Sequence, residues 1–100
     1  MTETYSAEVF RKEGDPFRSV NLSINAEGSV RLEAQDMGTQ VEEIWGDSDY
    51  ESWVDVPATA LRKLVFALLR EKYAGRDRAV DELTTFCKRE DIEHKWDSYA

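Results

Sequence analysis

One cysteine, one histidine, two prolines and five glycines are all that 100 residues contain of these types. A lone thiol, Cys87, cannot close an internal disulfide, so no covalent framework holds the chain. One His and one Cys supply no transition-metal ligand set of recognisable spacing. The few glycines fall outside any phosphate-cradling loop or dinucleotide fingerprint. The longest uninterrupted apolar run, Leu64 to Leu69, is far shorter than the ~20 residues a bilayer span requires. The opening stretch MTETYSAEVF has neither a basic n-region nor an apolar h-region, so no leader is expected and the cytoplasm is the expected compartment. The most consequential absence is local: between Leu32 and Leu61 there is no Lys or Arg at all.

That segment holds eight carboxylates, Glu33, Asp36, Glu42, Glu43, Asp47, Asp49, Glu51 and Asp55. Removing them from the 21 acidic residues leaves 13 against 13 basic ones, so the formal net charge of -8 belongs to this one segment. A surplus of this sign repels the phosphate backbone and anionic lipid, which argues against nucleic acid or membrane as the partner and for a basic protein surface. With 41% hydrophobic and 11% aromatic residues, the composition is that of a folded protein rather than a disordered one. The length suits a single domain over residues 1–100.

Alternation dominates the first half. Tyr5, Ala7 and Val9 alternate with Ser6, Glu8 and Phe10; Val20, Leu22 and Ile24 with Asn21, Ser23 and Asn25; Val30, Leu32 and Ala34 with Arg31, Glu33 and Gln35. Gly14-Asp15-Pro16 and Asn25-Ala26-Glu27-Gly28 supply turns between them. Periodicity lapses from Asp36 to Asp47, then resumes with Tyr50, Ser52, Val54 and Val56 on one parity and Asp49, Glu51, Trp53 and Asp55 on the other. Pro57 suits a first helical turn, and Leu61, Leu64, Val65, Leu68, Leu69 and Tyr73 follow at helical spacing. Gly75 is a natural stop, Asp77 a candidate cap, and Val80, Leu83, Phe86 and Cys87 form a second helical stripe. Ile92, His94 and Trp96 alternate with Glu93, Lys95 and Asp97, which predicts a last short strand. The expected fold is α+β: a mostly antiparallel four- or five-stranded sheet with two helices packed on one face, in the order βββ-loop-β-αα-β.

Several constellations bear on chemistry. Gly46-Asp47-Ser48 with Asp91-x-x-His94 resembles the motif blocks of the GDSL hydrolases, which would make Ser48 a nucleophile and His94 its base, but that family's further Gly and Asn blocks have no counterpart here. Asp47, Asp49 and Glu51 match ligand positions one, three and five of a calcium loop, whereas Ser52 and Ala58 occupy the places of the obligatory Gly and bidentate Glu. Arg62, Lys63, Arg70, Lys72, Arg76 and Arg78 make the helical region locally basic without the interleaved aromatics that single-stranded nucleic acid requires. The segment WGDSDYESWVDVP before an amphipathic helix resembles a set of small bacterial proteins of about this length, a resemblance that implies no activity.

Trp53 stands apart, because outward parity would put an aromatic anchor among Glu51 and Asp55, the composition of an interaction hot spot. The expected function is therefore that of a non-enzymatic acidic interaction or inhibitor module, comparable to immunity proteins and phage inhibitors by analogy only. Its partner-binding residues would be Glu42, Glu43, Asp47, Asp49, Glu51, Trp53 and Asp55. No cofactor, catalytic residue or resident metal is expected. The alternatives are a small hydrolase or divalent-cation binder using the 47–51 carboxylates or Ser48 and His94, and a structural protein that self-associates as a homo-oligomer.

Overall fold

The computed structural model describes residues 4–38 and 49–99. The chain forms two compact units, Met1–Val65 and Phe66–Ala100, and the division between them falls inside a helix. Together they contain a four-stranded antiparallel sheet and two α-helices, an α+β arrangement as expected.

The first unit is a meander of β1 (Tyr5–Lys12), β2 (Phe17–Ile24), β3 (Val30–Met37) and β4 (Asp49–Val56), hydrogen-bonded in that order. Asn25 fixes the β2–β3 turn: its side-chain oxygen accepts from the backbone N–H of Glu27 at 3.1 Å and of Ser29 at 3.0 Å. Gly28 takes the left-handed φ of 87° that the turn demands and a β-carbon disfavours. A turn pinned in this way sets the register, which runs unbroken from Ile24↔Val30 to Phe17↔Met37. Val20, Leu22 and Ile24 thereby share a face with Val30, Leu32 and Ala34.

The pairing of β3 with β4 is equally regular, from Val30↔Val56 to Met37↔Asp49, and brings Val54 and Val56 onto the same apolar face. β1 departs from its simple alternation. A register shift between Glu8 and Phe10 makes Val9 the extra residue of a β-bulge, so Phe10 pairs with Val20 and joins the apolar side instead of the polar one. The apolar face stays partly open: Leu32 is 42% and Val54 56% exposed. Small residues fill the tightest places, Ala34 on this face and Ser19 on the other, both buried. At one end of the sheet a β-carbon on Gly38, whose φ is 144°, would collide with the Asp15 carboxylate.

After β4, Pro57 precedes a 3-10 turn at Ala58–Ala60 rather than occupying a helical position itself. The turn runs directly into α1 (Leu61–Tyr73). Along α1, Leu61, Leu64, Leu69 and Tyr73 are half-buried, while Val65 and Leu68 of the same expected stripe are exposed. Gly75 ends the helix in the left-handed region at φ 76°.

In the second unit α2 covers Ala79–Arg89, with Arg78 rather than Asp77 at the cap position. Arg76 donates through Nε and Nη2 to both oxygens of Glu82, each at 2.7 Å, tying the turn to the first part of α2. Leu83 and Phe86 are half-buried and Cys87 is buried. The expected last strand is not formed: residues 92–99 carry no regular structure. The reason lies at the end of α2. The backbone N–H of Ile92 donates to the Cys87 carbonyl at 2.8 Å and that of Asp91 to Lys88 at 3.4 Å, with Asp91 at φ 56°. This is a Schellman closure with Asp where Gly is usual. It commits Ile92 to the helix end and turns the chain, so that His94, Lys95, Trp96 and Asp97 line a groove of about 360 Å³ with Val80, Leu83, Thr84 and Cys87.

Candidate functional site on the polar face of the sheet

Strand parity assembles the polar face. Ser6 and Glu8 of β1, Ser19, Asn21 and Ser23 of β2, Arg31, Glu33 and Gln35 of β3, and Asp49, Glu51, Trp53 and Asp55 of β4 all project to one side. β2 contributes short uncharged groups, and most of the charge collects on β3 and β4. Three cross-strand rows define the site: Arg31 opposite Asp55, Glu33 opposite Trp53, and Gln35 opposite Glu51.

Arg31 is the hub. Its Nε donates to Asp55 Oδ1 at 2.6 Å and its Nη2 to Asp55 Oδ2 at 3.0 Å, a two-pronged fit of guanidinium to carboxylate. The same guanidinium carbon lies 5.3 Å from the centroid of the Trp53 ring, within cation–π range. Glu33 lies 4.0 Å from Arg31 Nη1. The hydrogen bonds from Arg31 hold the Asp55 carboxyl below its ordinary value, and the same pairing raises Arg31.

The remaining carboxylates are less compensated. Asp49 accepts one hydrogen bond from the neutral amide Gln35 Nε2 at 3.1 Å. Glu51 has no partner of opposite charge among the described residues. Trp53 is 55% exposed, so the indole is braced on one side by Arg31 and presented to solvent on the other. The structure thus brings Asp49, Glu51, Trp53 and Asp55 onto one exposed strand. Glu42, Glu43 and Asp47 lie outside the described residues.

The other candidates distribute differently. Ser48 and Asp47, needed for either the hydrolase or the calcium-loop reading, also lie outside the described residues. His94 Nδ1 sits 2.8 Å from the Ile92 carbonyl in the tail after α2. Among the described residues no group of three or more His, Cys, Asp or Glu side chains converges closely enough to hold a metal ion. The basic residues of the helical region are largely engaged locally. Arg76 pairs with Glu82, the Lys72 ammonium lies 5.0 Å from the Phe86 ring centroid, and the Arg70 guanidinium lies 5.5 Å from that of Phe66. Arg31 was placed on the polar face by parity, but its partnership with Asp55 and Trp53 needed the β3–β4 register. The only signal in the sequence was an isolated cation on an otherwise acidic pair of strands.

No family model, curated protein or solved structure matches the chain.

Proposed function

We propose that this protein is a non-enzymatic interaction module whose acidic strand β4 binds a basic surface of another protein. The observation that carries the reading is that Asp49, Glu51 and Asp55 share one exposed face with a half-exposed Trp53. An aromatic ring with one free face supplies apolar contact area, and the uncompensated charge of Asp49 and Glu51 steers and selects a partner of opposite sign. Arg31 has two effects here: it neutralises Asp55, and it holds the indole so that less rotamer freedom is lost when a partner covers it. The absence of net positive charge anywhere on this face is what disfavours a nucleic-acid ligand. Blocking of the partner's own site by such a module would make it an inhibitor, as in immunity proteins.

Affinity capture from native lysate tests the reading. Three baits are compared: the unaltered protein, Trp53→Ala, and the double variant Asp49→Lys/Glu51→Lys. Proteins retained by the first should be basic, should be lost with the double variant, and should elute as salt is raised, because exposed charge pairs are screened over about 8 Å at physiological ionic strength. Equal recovery on all three baits would refute it.

A further inference from the structure

The helical region carries a charge opposite to that of the rest of the chain. From Leu61 to Arg89 eight basic residues stand against four acidic ones, which leaves five basic against 17 acidic elsewhere. Part of that surplus collects in one groove of the second unit, about 350 Å³ in volume, between the end of α1 and one side of α2. Three- and four-residue spacing brings Arg78, Asp81, Glu82, Phe86 and Arg89 to that side, and the last turn of α1 adds Lys72 and Tyr73.

The cations of this groove are held loosely. Among the described residues Lys72 forms no ion pair; its ammonium lies 5.0 Å from the Phe86 ring centroid and 5.8 Å from that of Tyr73. The Arg89 guanidinium stands 5.0 Å from the same Phe86 centroid, and its Nε is 3.1 Å from Glu90 in an exposed pair. Arg78 Nε lies 3.9 Å from Asp81, both side chains largely exposed. Exposed pairs of this kind contribute little, so either guanidinium exchanges its carboxylate for a better-fitting anion at small cost. Glu82 is the exception. Both its oxygens are taken by Arg76, whose hydrogen bonds hold the carboxyl below its ordinary value, so its charge is matched before any ligand arrives.

We infer that this groove binds a small organic phosphate, its head held by Lys72, Arg78 and Arg89 and its apolar body resting against Phe86 and Tyr73. A phosphate monoester carries a charge of about -1.5 to -2 at neutral pH and three acceptor oxygens, enough for an ammonium and two guanidiniums together. A carboxylate is filled by one guanidinium fork and leaves the other cations unmatched. The ligand is compact for a reason of charge: a nucleic acid or an anionic membrane would extend beyond the helices into the field of the acidic remainder, whereas a small dianion stays within the groove. The inference is independent of the acidic face of the sheet, which lies in the other unit.

The test is a titration of the full ¹⁵N-labelled chain with phenyl phosphate at neutral pH and low salt, followed by NMR. The amides of Phe86 and Arg89 should shift with a Kd of about 1 mM, ordinary for so few atoms. Inorganic phosphate, which lacks the ring, phenol, which lacks the charge, and benzoate, which lacks the third oxygen, should each bind at least about fivefold more weakly. Lys72→Met keeps an apolar stem over the rings and should weaken phenyl phosphate by about fivefold or more. Asp81→Asn removes the rival for Arg78 and should strengthen it by about twofold. This gain separates a ligand at Arg78 from any loss caused by damage to the fold. Benzoate or phenol binding as tightly as phenyl phosphate would overturn the inference. So would the absence of shifts at Phe86 and Arg89, or affinity left unchanged by both substitutions.

Discussion

Replacing Trp53 with alanine separates what the indole gives the sheet from what it offers a partner. At 55% exposure, a little under half of the residue is covered by its own fold, opposite Glu33 and against Arg31. A tryptophan side chain carries roughly 250 Å², so about 110 Å² is covered and about 140 Å² remains open. At about 25 cal/mol per Å² the covered part corresponds to ~3 kcal/mol at most, and ~2 kcal/mol once the residual compactness of the unfolded chain is allowed for. The open part could contribute up to ~3.5 kcal/mol to a complex. Trp53→Ala should accordingly lower the urea midpoint, followed by far-UV circular dichroism, by about 1–2 M with little change in slope. Affinity for a captured partner should fall by about thirtyfold or more, the loss expected of a hot-spot residue. An unchanged midpoint would show that the indole does not rest on Arg31 in solution. A binding loss of less than about threefold would show that its work is done inside the sheet and not at an interface.

Asp91→Gly should raise unfolding free energy by about 0.5–1 kcal/mol in the same assay, because glycine relieves the left-handed backbone at the end of α2 while keeping the Schellman hydrogen bonds. Gly38→Ala should lower it by about 1–3 kcal/mol, since the added methyl meets both an unfavourable φ of 144° and the Asp15 carboxylate. Asp55 should titrate by NMR below its ordinary value of 3.8, held down by Arg31. A carboxyl depressed in the folded state adds stability that is present above the unfolded value and is lost as pH falls through the folded one, so Asp55→Asn should flatten the stability profile on the acid side of pH 3.8 and leave it parallel at neutral pH.

The strands were legible because each side of a strand carries its own residue class. Val20, Leu22, Ile24 and Val30, Leu32, Ala34 announced a shared face, and the Asn25–Gly28 turn is short enough to fix how they meet. The same alternation misled at β1, where the bulge moves Phe10 to the other side; nothing local in Glu8-Val9-Phe10 marks an insertion, which only the partner strand reveals. It misled again after α2. Ile92, His94 and Trp96 alternate as a strand would, but strands need a neighbour, and the Ile92 N–H is committed to the Cys87 carbonyl. At the candidate site, parity was enough to gather Asp49, Glu51, Trp53 and Asp55. The pairing of Arg31 with Asp55 could not be read the same way, because the long β3–β4 connection leaves the register undetermined by the turn.

The bulge at Val9 also bears on how many molecules can join. A sheet whose two edges were both continuous could grow from either side, each newcomer presenting a fresh edge to the next. Here β1 is broken by the bulge, so a strand laid against that margin cannot keep an unbroken register along its whole length.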